Sequence, residues 1–270
     1  VTKTPAAADI AGRLLGGATG RYRAVVEACE PGIIAGTQFV DPTDTLGEGG
    51  SWRLLVAEGE TVTAGQPLIE LIAQATHLGV AEDYVLGPLG FASGIATRAK
   101  SFRDAAPQGL SIACGGWKKL PLALKPLLRA GLAVSGILPR LVDGDFVYVG
   151  KNAVIMLGGV DQAIAAGVAV GHGPVAVQVK SVEEAVSAVR TGAGIIMVDT
   201  AELTDLADVH SELIRLDLRS KVRLAFGGGV RLQDLGPAAE AGADAVDVGR
   251  AILDAPLLDL RLRVCSKYAD

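Results

Sequence analysis

Val222-Arg223-Leu224-Ala225-Phe226-Gly227-Gly228-Gly229 is a short apolar run closed by three glycines, and an amphipathic segment from Arg231 to Ala241 follows it. Ala245-Val246-Asp247-Val248 repeats the pattern and ends in Gly249-Arg250. Two consecutive strands thus open, at their C-terminal ends, into glycine-bearing turns ahead of helices. Glycine lets backbone N–H groups approach an anion closely, and a helix N-terminus adds partial positive charge. In α/β barrels this pair of loops is a common phosphate site. Three glycines also make an ordinary turn; the recurrence of the feature in both loops favours the phosphate reading.

The alternation extends upstream. Strands are expected at Leu110–Cys114, Phe146–Val149, Val175–Val179, Ile195–Val198, Val222–Phe226 and Ala245–Val248. Helices are expected at Leu120–Leu132, Val160–Gly167, Val182–Thr191, Thr204–Leu216, Arg231–Ala241 and Ala251–Leu258. Such alternation marks βαβ units and a parallel sheet or barrel. A weak repeat supports it: Ala188–Asp199 and Ala238–Gly249 are each a helix end, a Gly-Ala turn and a buried strand with a carboxylate near its end.

The first part of the chain reads differently. Ala6–Leu15 suits a short helix, and Tyr22–Cys29, Gly32–Ala35, Trp52–Val56 and Leu68–Ile72 suit strands separated by Pro-Gly and Gly-Gly turns. Val56–Leu68 looks like the hammerhead hairpin of biotinyl and lipoyl carrier domains. No lysine follows on a hairpin tip, so a structural β-layer is expected rather than a swinging arm. Thr76–Arg103 is expected to be helical with a break near Gly87-Pro88.

Composition narrows the class. Half of the 270 residues are hydrophobic, enough for a sizeable core, and 35 glycines with few aromatics suit many tight strand–helix turns. A net charge of −5 argues against nucleic-acid or membrane-surface partners, which require a basic face. Cys29, Cys114 and Cys265 are scattered, suggesting neither a disulfide framework nor a zinc site. A soluble cytoplasmic protein is the expectation.

On a barrel, chemistry sits at the C-terminal strand ends. Strand alternation puts Ala176, Gln178 and Lys180 on the face opposite the valines, so Gln178 either points into the barrel mouth or is a satisfied interior amide. Asp199, just past Met197-Val198, is placed to hold Mg²⁺ or sugar hydroxyls, or to cap the next helix. Lys118 and Lys119 follow Gly115-Gly116-Trp117, and Lys151 and Asn152 follow Val149-Gly150. The first pair would neutralise a diphosphate, or are exposed lysines at a helix start. His77, His172 and His210 lack metal-ligand spacing, and His172 reads as a loop histidine. No GxSxG, HExxH or N-terminal GxGxxG supports a hydrolase or dinucleotide reading.

From about Arg21 onward the order of segments resembles the quinolinate phosphoribosyltransferase family. Leu89-Gly90-Phe91-Ala92-Ser93-Gly94-Ile95-Ala96-Thr97 is similar to the family's Leu-Ser-Gly-Ile-Ala-Thr helix, the most specific match. Gly32-Ile33-Ile34-Ala35-Gly36 resembles its opening β-layer, Glu58–Leu71 its next hairpin, and Gly227–Gly229 with Val248-Gly249-Arg250 its two phosphate loops. The resemblance implies an α/β fold: an N-terminal α/β sandwich layer over residues 1–95, joined by the tail 256–270, and an incomplete α/β barrel over 96–255. It also implies a homodimer or hexamer.

The resemblance weakens at the family's active-site positions. Glu82-Asp83-Tyr84 stands where Glu-Arg-Thr is usual; Trp117 takes the place of an arginine, with Lys118 retained and Lys125 near a second arginine; Pro139-Arg140 replaces His-Arg. Gly150-Lys151-Asn152-Ala153 replaces Lys-Asp-Asn-His, and Ala176-Val177-Gln178 replaces Glu-Val-Glu, while Asp199 is kept. Quinolinate is a dianion and calls for fixed cationic donors, each charge-assisted hydrogen bond contributing about 1.5–3 kcal/mol. The expectation is therefore a phosphoribosyltransferase-like enzyme with a small planar acceptor other than quinolinate.

In that reading Gly227, Gly228, Gly229, Gly249 and Arg250 hold the 5′-phosphate of a phosphorylated ribose. Lys118, Arg140 and Lys151 meet the diphosphate, with Asn152 beside them. Asp199 with Gln178 meets Mg²⁺ and ribose hydroxyls, and Trp117 stacks on the acceptor. A non-catalytic sugar-phosphate-binding relative is one alternative. A barrel lyase or isomerase using Lys151 is another.

Overall fold

The computed structural model describes residues 14–269. The expected helix over Ala6–Leu15 falls largely outside them. The chain divides into two compact units.

The first unit takes the described residues up to Ala99, Pro121–Ser135, and the chain from Ala255 onward. Its four-stranded antiparallel sheet runs in the order β12 (Leu260–Lys267), β1 (Arg21–Ala28), β5 (Pro67–Gln74) and β3 (Ser51–Leu54). A second, two-stranded ladder pairs β2 (Gly32–Ile33) with β4 (Thr61–Val62). The hammerhead-like segment is thereby a structural layer. Helix α1 (Ala75–Ala105) packs Leu78, Ala81, Val85 and Leu89 into the same core as Ala24 and Val26 of β1 and Leu71 of β5. Those spacings place one apolar stripe against the sheet.

Helix α1 is continuous, which corrects the expected break. Pro88 lies inside it. A mid-helix proline costs roughly 3 kcal/mol, but burial of this long stripe on both sides of Pro88 outweighs that penalty. The tail forms a full strand that the sequence reading left out. Glu27 anchors it, its buried carboxylate accepting from Arg261 Nε at 2.7 Å and Arg263 Nη2 at 3.0 Å. Those guanidinium groups, Arg263 first, hold the Glu27 carboxyl below its usual range. Helix α2 (Lys125–Ser135), expected as a barrel helix starting at Leu120, belongs to this first unit and is preceded by a short turn over Leu122–Leu124.

The family-like motif on α1 holds the chain together here. The Ser93 hydroxyl accepts from Ala35 N–H at 3.0 Å, and Thr97 Oγ1 accepts from Ile33 N–H at 2.9 Å. Gly94 lies under the returning tail: a Cβ there would stand 2.0 Å from the Pro256 carbonyl oxygen.

The second unit, Lys100–Leu120 and Gly136–Asp254, is a six-stranded parallel sheet. Its order is β6 (Ser111–Ala113), β11 (Ala245–Asp247), β10 (Arg223–Phe226), β9 (Ile195–Val198), β8 (Val175–Val179) and β7 (Val147–Val149). Among the described residues no ladder joins the edge strands β6 and β7, so the barrel is incomplete; a single bridge sets Ala113 beside Leu138.

Helices α3 (Lys151–Leu157), α4 (Val160–Val170), α5 (Val182–Thr191), α6 (Leu203–Arg215), α7 (Leu235–Glu240) and α8 (Arg250–Leu253) follow the strands. Ser181 caps α5 by accepting from Glu184 N–H at 3.2 Å, and Gly192 ends it at φ 110°. Helix α3 was not expected: a seven-residue segment closed by Gly158-Gly159 carries too little periodicity to read. Among the described residues no single helix is long and apolar enough to cross a membrane.

Candidate active site

The barrel interior is a layer of small and apolar side chains: Ala113, Ala176, Ile195, Met197, Ala225 and Ala245. Strand side chains repeat every two residues. Two positions beyond Ala176, Met197 and Ala245 stand Gln178, Asp199 and Asp247; two beyond Ala113 and Ala225 stand Gly115 and Gly227. This next layer, at the C-terminal strand ends, floors a cavity of about 520 Å³. The glycines leave room for the polar side chains. A Cβ on Gly227 would stand 3.3 Å from Asp199 Oδ1, and one on Gly115 only 2.4 Å from Asp247 Oδ2.

The polar groups are tied to one another. Gln178 Nε2 donates to Asp199 Oδ2 at 2.8 Å, and Lys151 Nζ lies 3.4 Å from the same oxygen. Asp247 Oδ1 accepts from Gly115 N–H at 2.6 Å. Burial, and then the Asp199 charge, push the Asp247 carboxyl above its usual range, against the Gly115 hydrogen bond and the lysines Lys119 and Lys118. Burial together with both carboxylates pushes the Tyr148 phenol up to about 12. Buried Cys114, just below, is also raised to about 12, so it is an unreactive thiol.

Cationic side chains and rings form the walls. Lys118 Nζ sits 4.3 Å from the Tyr148 ring centre and 6.0 Å from that of Trp117, and the Arg140 guanidinium lies 5.6 Å from that of Phe146. Arg250 reaches the cavity while paired to Asp254 at 2.8 Å.

Of the residues singled out from sequence, the structure brings Trp117, Lys118, Arg140, Gln178 and Asp199 to this cavity, together with Gly228, Gly229, Gly249 and Arg250. Lys151 does not line it and reaches it only through Asp199. Asn152 is exposed on the first turn of α3 and is not part of the lining. Gly227 lies beneath, making room for Asp199.

The helices after the phosphate-type loops are shorter than expected. A turn over Leu232–Asp234 and six-residue α7 follow the first loop, and four-residue α8 the second. Little macrodipole is available from so few aligned peptides, so an anion here depends on loop N–H groups and on Arg250. Gly228 and Gly229 both have positive φ, 105° and 98°, and a Cβ on Gly228 would meet Ala201 N at 2.5 Å. Lys119, paired with Lys118 in the sequence, also lines the cavity, whereas Asp247 and Tyr148 were not among the candidate site residues. The alternation that singled out Gln178 also points to Asp247.

Two family models match the chain: the C-terminal domain of quinolinate phosphoribosyl transferase over residues 95–263 and its N-terminal domain over residues 9–93. The nicotinate-nucleotide pyrophosphorylase [carboxylating] of Rattus norvegicus is 29% identical over 248 residues, covering 90% of this chain and 81% of that protein. The Mycobacterium leprae protein of the same name is 29% identical over 240 residues, with 86% and 83% covered. Among solved structures, nicotinate-nucleotide pyrophosphorylase from Pyrococcus furiosus superposes with a TM-score of 0.82 at 19% identity, covering 98% of this chain and 75% of that one. The Ehrlichia chaffeensis structure of that name gives 0.80 at 15% identity, with 98% and 99% covered.

The chain belongs to the quinolinate phosphoribosyltransferase family. Its fold is the expected one, an N-terminal α/β sandwich and an incomplete α/β barrel. The expectation of an acceptor other than quinolinate is overturned by these relatives, which are carboxylating nicotinate-nucleotide pyrophosphorylases. The charge argument behind it failed because it counted lost arginines position by position. In space, Lys118, Lys119, Arg140 and Arg250 still converge on one cavity against two carboxylates.

Proposed function

We propose that the chain transfers the phosphoribosyl group of 5-phosphoribosyl 1-diphosphate to the ring nitrogen of quinolinate, yielding nicotinate mononucleotide, diphosphate and carbon dioxide. Family membership and the names of the relatives support this reading. The observation that carries it is the excess of cationic side chains, four against two carboxylates, around a cavity at the strand ends. A sugar diphosphate and a dianionic acceptor both call for such a field.

Gly228, Gly229, Gly249 and Arg250 would take the 5′-phosphate. Lys118 and Lys119 would meet the diphosphate, and Arg140 a carboxylate of the acceptor, with Trp117 and Tyr148 offering flat apolar faces to its ring. Asp199, oriented by Gln178, would accept from ribose hydroxyls. Cleavage of the glycosidic bond builds positive charge on the ribose, which fixed carboxylates stabilise without reorganisation.

Among the described residues no cluster of three ligating side chains could hold a metal. Mg²⁺ fits here as an ion brought by the diphosphate and touched by Asp199, the common way this ion is held. Its chemistry would be charge neutralisation on the leaving diphosphate. The test is incubation with quinolinate, 5-phosphoribosyl 1-diphosphate and Mg²⁺, following nicotinate mononucleotide and released carbon dioxide. A folded protein that forms neither refutes the reading.

We also propose a homodimer or larger assembly, supported by the exposed apolar side chains Phe39, Leu55 and Leu122 of the first unit. An obligate interface of this kind buries about 2,000 Å² or more. A stable monomer in light scattering at micromolar concentration would count against it.

A further inference from the structure

The loop after β6 is a short helical turn, Gly115–Lys119, carrying Trp117, Lys118 and Lys119 into the cavity. Two glycines let it sit where it does. A Cβ on Gly116 would meet Leu253 Cδ1 at 2.6 Å and Gly249 Cα at 3.2 Å, so the turn rests on the second phosphate-type loop. A Cβ on Gly115 would collide with the Asp247 carboxylate, which accepts the Gly115 N–H at 2.6 Å. Asp247 ends β11, two residues before Gly249, and Val248 N–H donates to Ala113 O at 2.8 Å alongside. Two contacts thus hold the lysine turn to the phosphate loop, the Gly116 packing and the Gly115 hydrogen bond. Asp247 supplies the hydrogen bond, while the Val248–Ala113 bond fixes the strand ends beneath.

We propose that Asp247 is a positioning residue: its carboxylate fixes the Gly115–Lys119 turn against the Gly249-Arg250 loop, setting the distance between the lysines and the 5′-phosphate position. The ligand class is a sugar that carries a phosphate at one end and a diphosphate at the other, and this rests on the functional reading above. A carboxylate inside an anion site is otherwise unfavourable to the ligand, since it offsets the field of the lysines that face it. Its place is explained by the N–H it holds.

Charge and position are separable by substitution. Asn at 247 keeps an oxygen acceptor and removes the charge; Ala removes both. The probe is inorganic pyrophosphate, with binding followed by calorimetry and deuterium exchange followed on peptides spanning residues 114–120. Asp247→Ala should weaken pyrophosphate binding about tenfold or more, the scale of a lost charge-assisted hydrogen bond, and speed exchange in the turn. Asp247→Asn should leave exchange near wild type and binding equal or tighter.

Gly115→Ala should reproduce Asp247→Ala, because its Cβ displaces the same contact. Its effect should shrink in the Asp247→Ala background, where the collision is gone. Pyrophosphate binding by Asp247→Ala at or above wild-type affinity, with unchanged exchange, overturns the proposal and leaves Asp247 as a charge only. A wild-type protein without pyrophosphate affinity sinks the sugar-diphosphate reading instead, while the exchange comparison still judges the positioning role. If Asp247→Ala does not fold, Gly115→Ala and Asp247→Ser carry the same comparison.

Discussion

Gly94→Ala tests whether the family's most specific motif holds the fold or serves the chemistry. On helix propensity alone, alanine at a mid-helix glycine would stabilise by about 1 kcal/mol. Here the new Cβ would stand 2.0 Å from the Pro256 carbonyl oxygen and 3.0 Å from Leu257 Cα and Leu258 N. All three are backbone atoms, so no rotamer change relieves the contact. The returning tail must move by about 1.5 Å to reach ordinary contact distance. Overpacking of this kind costs about 1–3 kcal/mol, and more where backbone must shift.

Because backbone must shift, the upper part of that range applies, about 2–3 kcal/mol. Less about 1 kcal/mol of propensity, the net loss of about 1–2 kcal/mol should lower the melting temperature by about 2–8 °C. Gly79→Ala on the same helix is the control. Nothing lies within 4 Å of its Cβ position, so it should gain the full propensity term and melt about 2–4 °C higher. The assay is thermal unfolding by circular dichroism, with turnover measured at 25 °C. A Gly94→Ala protein as stable as wild type refutes the packing argument. A collapse of kcat without a change in melting would move the motif into the chemistry.

The remaining predictions concern the site and pH. Gly229→Asp should abolish ribose 5-phosphate binding, since its carboxylate meets the anion. Its Cβ meets no atom within 4 Å, so its cost to folding is the strain of a side chain at φ 98°, about 1–3 kcal/mol; Gly228→Asp adds a collision with Ala201 backbone to the same strain. Lys118→Ala should raise KM for 5-phosphoribosyl 1-diphosphate about tenfold or more, with a smaller effect on KM for quinolinate; equal effects on both would remove Lys118 from the diphosphate end. Asp199→Asn should lower kcat, because it removes charge at the developing oxocarbenium, and wild-type rates in steady-state kinetics would dismiss that role. Burial, then the Arg219 charge, hold the His210 imidazole below its ordinary 6.5. The unfolded chain then binds the proton more readily, so stability is full above pH 6.5 and is lost as pH falls through the lowered value; His210→Asn should flatten that limb in urea titrations.

The parts legible in the sequence were those whose information is local. Strands Val175–Val179 and Ile195–Val198 and helix Val182–Thr191 were found at their observed bounds. Each is an apolar or amphipathic run between clear signals, Ser181 and Gly192 among them. Helix α1 was misread at Pro88 because a local penalty is visible in sequence and the burial that overcomes it is not. The tail strand Leu260–Lys267 was missed although it alternates, because its partner, Glu27 on β1, lies more than two hundred residues away.

The site follows the same rule. Gln178 and Asp199 were reached by asking what stands at a strand end. Asp247 answers that question equally well, but it was read as part of a glycine-loop pattern. The acceptor was misjudged for the most distant reason. Comparing positions counts which cations have gone, whereas an anion responds to those that converge. Lys119 and Arg250 arrive from loops some 130 residues apart. Electrostatic function belongs to the assembled cavity, so replacement of an arginine by Trp117 says less about the bound anion than the summed charge of the side chains that the barrel gathers around it.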